Sequence, residues 1–274
     1  KEKKIKTICI GNIYVGGTGK TPTTIKLYNL LKNLNYKVIT AKKYYKSQKD
    51  EQVIIKEKTK AIIAKTRKKI IKHAIELKNE LIIFDDGLQD KSINYDIKFV
   101  CFDNVNWIGN GQLLPSGPLR EKLDSLRKYD AVFLKNGLNF DKIQNTIKNL
   151  NPSIEIFTTK YIATNLEKFN LSNNFICFCG LGNPDSFKST LLSENFSIVD
   201  EVVFPDHYNY RDIDINNIIK KAKKLNAKII TTEKDYVKIK KNFKNDIDYL
   251  DIDLEILEED KLINFLKLRL NEKY

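Results

Sequence analysis

One short run carries residues that a nucleoside triphosphate needs. Gly16-Gly17-Thr18-Gly19-Lys20-Thr21 lies between an apolar stretch and a helix-patterned one. Glycines let the backbone turn tightly and aim its N–H groups at phosphate oxygens. Lys20 is placed to reach the β- and γ-phosphates, the Thr21 hydroxyl to ligate Mg²⁺, and the following helix adds the positive end of its dipole. The run departs from G-x-x-x-x-G-K-[ST] at the first glycine, where this chain has Tyr14. Pro22 stands early in the helix, where its missing N–H costs little. The chemistry implied is binding of ATP with Mg²⁺.

Other segments could complete that chemistry. Leu81-Ile82-Ile83-Phe84 runs into Asp85-Asp86-Gly87, and an apolar strand ending in acids is where a nucleoside triphosphatase keeps its Mg²⁺ carboxylate. Taken alone, Asp-Asp-Gly is as readily a turn that ends a strand. Leu113–Glu121 holds a Pro-Ser-Gly-Pro loop before Arg120 and Glu121. Arg120 could pair with phosphate and Glu121 with Mg²⁺ or a hydroxyl, although from residue types the segment reads first as a helix start. His207 follows Phe204-Pro205-Asp206 and is one of only two histidines. It could act as a base or orient one, whereas a lone histidine is more often structural. Gly180-Leu181-Gly182-Asn183-Pro184 reads as a tight turn, and Thr231-Thr232-Glu233-Lys234-Asp235 as a strand end with a threonine helix cap.

The elements that must position these residues alternate. Thr7–Ile10, Lys37–Thr40, Val53–Ile55, Ala61–Ala64, Leu81–Phe84, Lys98–Phe102 and Ala131–Leu134 read as strands, with helices over Thr21–Asn33 and Thr66–Lys78. Nearly continuous β-branched strands in a βαβ rhythm predict a parallel sheet covered on both faces. Beyond the Asn136-Gly137 turn come strands Phe175–Phe178, Ile198–Val203 and Lys228–Thr231, with helices near Ser186–Ser193, Ile213–Leu225 and Lys261–Leu270. The expected fold is α/β. A P-loop kinase domain spans 1–136 and a second, smaller α/β lobe spans 137–259, with the C-terminal helix at 260–274 a candidate to pack back on the first.

Composition narrows the partners. Hydrophobic residues are 42% and charged residues 30% of the 274, a globular balance. The net charge of +13 suits phosphorylated substrates or an anionic membrane surface. It equally suits a lysine-coated surface. No nucleic-acid reading motif appears, and the lysines are spread along the chain, so no nucleic-acid partner is expected. The periodic Lys65–Lys72 stretch reads as a solvated helix face. Cys9, Cys101, Cys177 and Cys179 read as buried thiols rather than a metal site. No apolar run approaches the ~20 residues of a membrane span. The chain begins at Lys1 and has no methionine, so the native N-terminus, with any anchor in it, is expected to be missing.

Read together, these segments resemble the tetraacyldisaccharide 4'-kinase family. Its pattern V-G-G-T-G-K-T-P, G-D-E, D-D-G-F-Q, L-L-P-x-G-P-L-R-E, G-I-G-x-P, F-x-D-H and T-x-K-D corresponds in order to Val15–Pro22, Lys49-Asp50-Glu51, Asp85–Gln89, Leu113–Glu121, Gly180–Pro184, Phe204–His207 and Thr231–Asp235. The resemblance implies two α/β lobes with the active site in the cleft between them, and transfer of the γ-phosphate of ATP to the 4'-hydroxyl of an acylated glucosamine disaccharide 1-phosphate, giving lipid IVA. It implies work at the cytoplasmic face of an inner membrane, with no obligate protein partner evident. By the same resemblance Lys20 and Thr21 hold ATP and Mg²⁺. Asp85, Asp86 and Glu121 arrange metal and phosphates, Glu51 and Arg120 contact substrate or phosphate, and Asp50 and His207 form the catalytic pair, with Asp50 the more direct base. The family's S-R-G-Y-G-R is replaced by Ala41-Lys42-Lys43-Tyr44-Tyr45-Lys46, Leu88 stands for phenylalanine, and Asp90 for histidine. Two other readings use the same phosphate loop: a kinase or nucleoside triphosphatase with a soluble acceptor, which needs neither Asp50 nor His207, and a non-catalytic nucleotide switch that binds without turnover.

Overall fold

The computed structural model describes residues 5–137 and 139–271. Its strands, in chain order, are β1 (Lys6–Gly11), β2 (Val38–Lys43), β3 (Ala61–Ala64), β4 (Leu81–Asp85), β5 (Ile97–Phe102), β6 (Ala131–Lys135), β7 (Glu155–Ala163), β8 (Asn174–Cys179), β9 (Ser197–Val203), β10 (Ala227–Thr232), β11 (Asp248–Leu250) and β12 (Ile252–Ile256). The helices are α1 (Lys20–Asn33), α2 (Lys49–Lys58), α3 (Arg67–Glu76), α4 (Phe140–Leu150), α5 (Pro184–Ser193), α6 (Asp212–Lys224), α7 (Glu233–Tyr236) and α8 (Glu259–Asn271). An eight-stranded sheet runs in the order β12-β7-β6-β5-β1-β4-β2-β3, and a four-stranded sheet in the order β11-β10-β8-β9. The fold is α/β with mostly parallel sheets.

The chain divides into two compact units. The first comprises Lys1–Tyr45, Ile55–Lys160 and Leu254–Tyr274, and the second Lys46–Ile54 and Tyr161–Asp253. The first unit runs beyond the boundary expected at 136, because β7 pairs in parallel with β6 and so extends the first sheet. The short piece 46–54, which holds Asp50, belongs to the second unit.

In the first unit β1 is central, paired in parallel with β4 on one side and β5 on the other. Ile8, Cys9 and Ile10 have no exposed surface, as a strand covered on both faces requires. Ile39, Ile62, Ile70, Ala74, Ile82 and Phe84 fill one core cluster, and Ile13, Val100, Leu126, Val132, Ile143 and Ile147 another. Each fully buried aliphatic side chain contributes about 1.5–3 kcal/mol. The second unit's sheet is parallel throughout. Phe178 packs there against Ile215, Ile218 and Ala222 of α6.

One expected strand is a helix. Val53–Ile55 reads as a β-branched run, yet it lies inside α2. Asp50 and Glu51 stand in the first turn of that helix and Lys56 and Lys58 in its last, signs that suit the macrodipole. Burial of Ile54 and Ile55 in the core outweighs their strand preference. The four cysteines are free and buried. Among the described residues no helix is long and apolar enough to cross a membrane.

Candidate active site

In the first unit, β1 delivers the chain to the loop before α1. Gly16 has φ 122° and Gly19, the N-cap of α1, has φ 83°, conformations that favour glycine. No side chain caps α1, and its first turn holds no acid, so its N–H groups remain suited to an anion. Asn12 Nδ2 donates to Gly16 O at 3.3 Å and to Thr18 Oγ1 at 2.9 Å, which shapes the loop from within. Lys20 is buried, with Nζ 3.5 Å from Gly16 O and 3.9 Å from Asp86 Oδ2.

Asp85 ends β4, beside β1, and Asp86 follows it. Thr21 Oγ1 donates to Asp85 Oδ2 at 3.1 Å, and Thr24 Oγ1 lies 3.4 Å from Oδ1. Asp86, at φ 58°, receives Arg120 Nη1 at 3.0 Å on Oδ1. Arg120 is brought there by the Pro-Ser-Gly-Pro loop: Val15 N donates to Pro118 O at 2.9 Å, and Arg120 N to Ile13 O at 2.7 Å. Glu121 accepts from Gln89 Nε2 at 2.9 Å and from Tyr129 OH at 2.8 Å, so it sits within reach of the Asp85–Gln89 segment. The structure thus gathers Gly16, Gly17, Thr18, Gly19, Lys20, Thr21, Asp85, Asp86, Arg120 and Glu121 about one loop.

That donor set fits Mg²⁺. A threonine hydroxyl and carboxylates are hard oxygen ligands, and Mg²⁺ at nucleotide sites takes one or two carboxylates and completes its shell with water and phosphate. Among the described residues there is no group of three or more His, Cys, Asp or Glu side chains that could hold a metal ion.

In the second unit the first turn of α2 meets the loop after β9. His207 Nδ1 lies 3.1 and 3.0 Å from the two Asp50 oxygens. An ionised carboxylate only accepts, so Nδ1 carries the hydrogen and Nε2 faces elsewhere. Lys234 Nζ is 3.5 Å from Nε2, 3.1 Å from Asp206 Oδ1, 3.7 Å from Glu51 Oε1 and 4.0 Å from Asp50 Oδ2. His207 adopts φ 58°, and the stacked pair Phe204–Tyr208 flanks it in the chain. Asp50's side chain is 2% exposed and His207's 23%, so the histidine is the more accessible member.

The charges are balanced with care. Burial pushes the Asp50 carboxyl up, but the His207 hydrogen bond, the Lys234 charge and the Glu51 N–H outweigh it and hold the group below its ordinary value. Burial likewise opposes the charge on Lys234, while Glu51, Asp206 and Asp50 offset it and raise its pKa. Behind them, Lys238 Nζ sits 2.7 Å from Asp235 Oδ1 and 3.9 Å from Asp50 Oδ2.

Sequence reading missed several of these groups. Lys42 is buried with Nζ 2.7 Å from Asp85 Oδ2, although it lay in a segment noted only for its departure from a pattern. Gln89 also donates to Asn12 O at 2.9 Å. Arg67, buried on α3, donates to Asp86 O at 2.8 Å and pairs with Asp90. Thr232 does cap α7, as its type suggests, yet Asp235 beside it is a fully buried anchor that accepts from Gly180 N at 3.0 Å. No local signal marks Arg67 or Lys238, since each is a basic residue among many.

A glycine-turned loop before an uncapped helix, beside a strand that runs into two aspartates, defines a nucleotide-binding α/β protein of the P-loop kinase class. A family model for tetraacyldisaccharide-1-P 4'-kinase matches residues 1–271. A tetraacyldisaccharide 4'-kinase of Pelagibacter ubique is 45% identical over 271 residues, covering 98% of this chain and 86% of that protein. One of Rickettsia felis is 37% identical over 275 residues, covering 94% and 82%. The crystal structure of "apo" form LpxK from Aquifex aeolicus in complex with ATP shares the fold, with a TM-score of 0.71 at 23% identity over 97% of this chain and 89% of that one. The chain belongs to the tetraacyldisaccharide 4'-kinase family.

Proposed function

We propose that the protein transfers the γ-phosphate of ATP to the 4'-hydroxyl of a tetraacylated glucosamine disaccharide 1-phosphate, giving lipid IVA. The observation that carries this beyond nucleotide binding is the Asp50–His207 pair, 3.0 Å apart across 157 positions of sequence. A nucleotide switch needs no buried carboxylate held ionised against an imidazole, whereas a kinase needs a group to take the acceptor's proton.

In this reading the loop N–H groups, Lys20 and the start of α1 bind the triphosphate, and Arg120 neutralises phosphate charge. Thr21 and Asp85, with Asp86 and Glu121, would hold Mg²⁺, which when bound offsets the charge on the phosphate oxygens. The 4'-hydroxyl oxygen forms a bond to the γ-phosphorus, the bond from phosphorus to the β,γ-bridging oxygen breaks, and ADP leaves. The hydroxyl proton passes to the Asp50–His207 pair, which acts as a unit. Glu51 and Lys234 surround that pair with groups able to hydrogen-bond a sugar. The lysine-rich surface supports peripheral association with the cytoplasmic face of an anionic inner membrane.

The test is transfer of ³²P from γ-labelled ATP to the tetraacyldisaccharide 1-phosphate in detergent with Mg²⁺. Labelled lipid from the wild type and its loss in Asp50→Ala are expected. ATP binding with no labelled lipid would move the activity to another acceptor or to a binding role.

A further inference from the structure

The nucleotide site has a charged member outside the phosphate loop and the Asp-Asp-Gly turn. Lys42 and Asp85 are register partners on the adjacent parallel strands β2 and β4. Their side chains are 1% and 0% exposed, with Nζ 2.7 Å from Oδ2. That same oxygen accepts from Thr21 Oγ1 at 3.1 Å, while Thr24 Oγ1 lies 3.4 Å from the other. Thr21 and Thr24 stand one turn apart on the same face of α1. The Thr21 and Thr24 hydroxyls therefore meet the carboxylate from the helix side and the Lys42 ammonium meets it from the sheet side.

We propose that Lys42 is a positioning residue for the nucleotide site, keeping Asp85 on the Thr21 hydroxyl, where the two oxygens serve the divalent cation that accompanies ATP. The inference rests on reading the phosphate loop as the nucleotide site. Three features carry it. A lysine buried to this degree is rare unless paired. Its charge also costs free energy that packing alone does not return. And Nζ sits on the same Asp85 oxygen that accepts from Thr21, so the lysine bears directly on the Thr21–Asp85 contact. A lysine that filled space would need no carboxylate, and one that displaced the metal would weaken the cation's hold.

The test reads nucleotide binding, without the lipid acceptor. A fluorescent ATP analogue is titrated into wild type, Lys42→Met, Lys42→Arg, Asp85→Asn and the double variant Lys42→Met/Asp85→Asn, each with Mg²⁺ and with EDTA. In Lys42→Met the gain in affinity that Mg²⁺ confers should fall about 10- to 100-fold, the usual effect of losing a partner of a metal ligand, while affinity in EDTA changes little. Lys42→Arg should recover part of that gain. The double variant should match Asp85→Asn, because Lys42 acts through Asp85. If Lys42→Met does not fold, the charge-free double variant and Lys42→Arg still carry the test. A wild-type or larger Mg²⁺ gain in Lys42→Met, or a double variant well below Asp85→Asn, overturns the inference. Failure of the wild type to bind the analogue in either arm overturns instead the reading of the loop, and this inference with it.

Discussion

At the scale of single residues, the Asp50–His207 pair sets the sharpest expectations. His207 Nδ1 spends its hydrogen on a buried carboxylate, so Asp50→Asn both removes the charge and offers an amide that cannot accept in the same way. Transfer to lipid should fall about 10²- to 10⁴-fold in Asp50→Asn, the range for loss of a general base, with ATP binding unchanged in a titration. Asp50 is held below its ordinary value despite its burial. It should therefore stay ionised to lower pH than an ordinary aspartate, so any acid limb it imposes on kcat/KM should lie below the usual carboxylate range. The stability its ionised form contributes is present above the unfolded-state value and lost as pH falls through the depressed folded value. Lys234 is among the groups that hold it down, so Lys234→Met should move the acid limb upward in pH. A pH–rate profile of the variant that overlays the wild type would remove Lys234 from this role.

At the scale of elements, the loops matter more than the helices they join. Gly19 caps α1 at φ 83°, where an L side chain costs about 1–2 kcal/mol. Gly19→Ala should lower thermal stability by that order and weaken ATP binding, read by melting and by nucleotide titration. Gly117 is closed in another way: a Cβ there would lie 2.2 Å from Asn110 Oδ1 and 2.5 Å from Gln112 O. Gly117→Ala must shift the loop that brings Arg120 to Asp86, so phosphate binding should weaken although Arg120 itself is intact. In the second unit Thr232 accepts from Asp235 N and donates to Asp235 Oδ2 at 2.8 Å. Thr232→Ala should cost about 1 kcal/mol as a lost cap. If the Asp235–Lys238 pair also steadies Asp50, kcat should drop by more than that loss of fold accounts for.

At the scale of the whole molecule, the net charge of +13 is a statement about partners. Binding to vesicles rich in phosphatidylglycerol is expected at low salt. It should decline steeply as ionic strength rises and the screening length shrinks below about 10 Å. Sedimentation with neutral phosphatidylcholine vesicles should be weak at every salt concentration. Equal binding to both vesicle types would mean that the lysines only solubilise the protein.

Much of the site was legible without a structure. The order strand, glycine turn, Lys20-Thr21, helix is a local pattern, and local patterns survive in sequence because each part touches its neighbours in the chain. The aspartates at the end of β4 were legible because a buried parallel strand is a continuous apolar run, so the first polar residue marks its end. The pairing of Asp50 with His207 was implied by the family resemblance alone, since no period or spacing links residues so far apart. Other features were decided only by tertiary structure. Val53–Ile55 became helix because the helix buries Ile54 and Ile55 while its ends carry charges of the favourable sign. The edge strand β12, Ile-Asp-Leu-Glu-Ile, hid among acids, since only alternate residues face the core. Lys42 shows the limit most directly. Its meaning comes from a carboxylate 43 positions away that the register of two parallel strands brings to 2.7 Å, and register is set by the packing of the whole sheet rather than by the residues on either side.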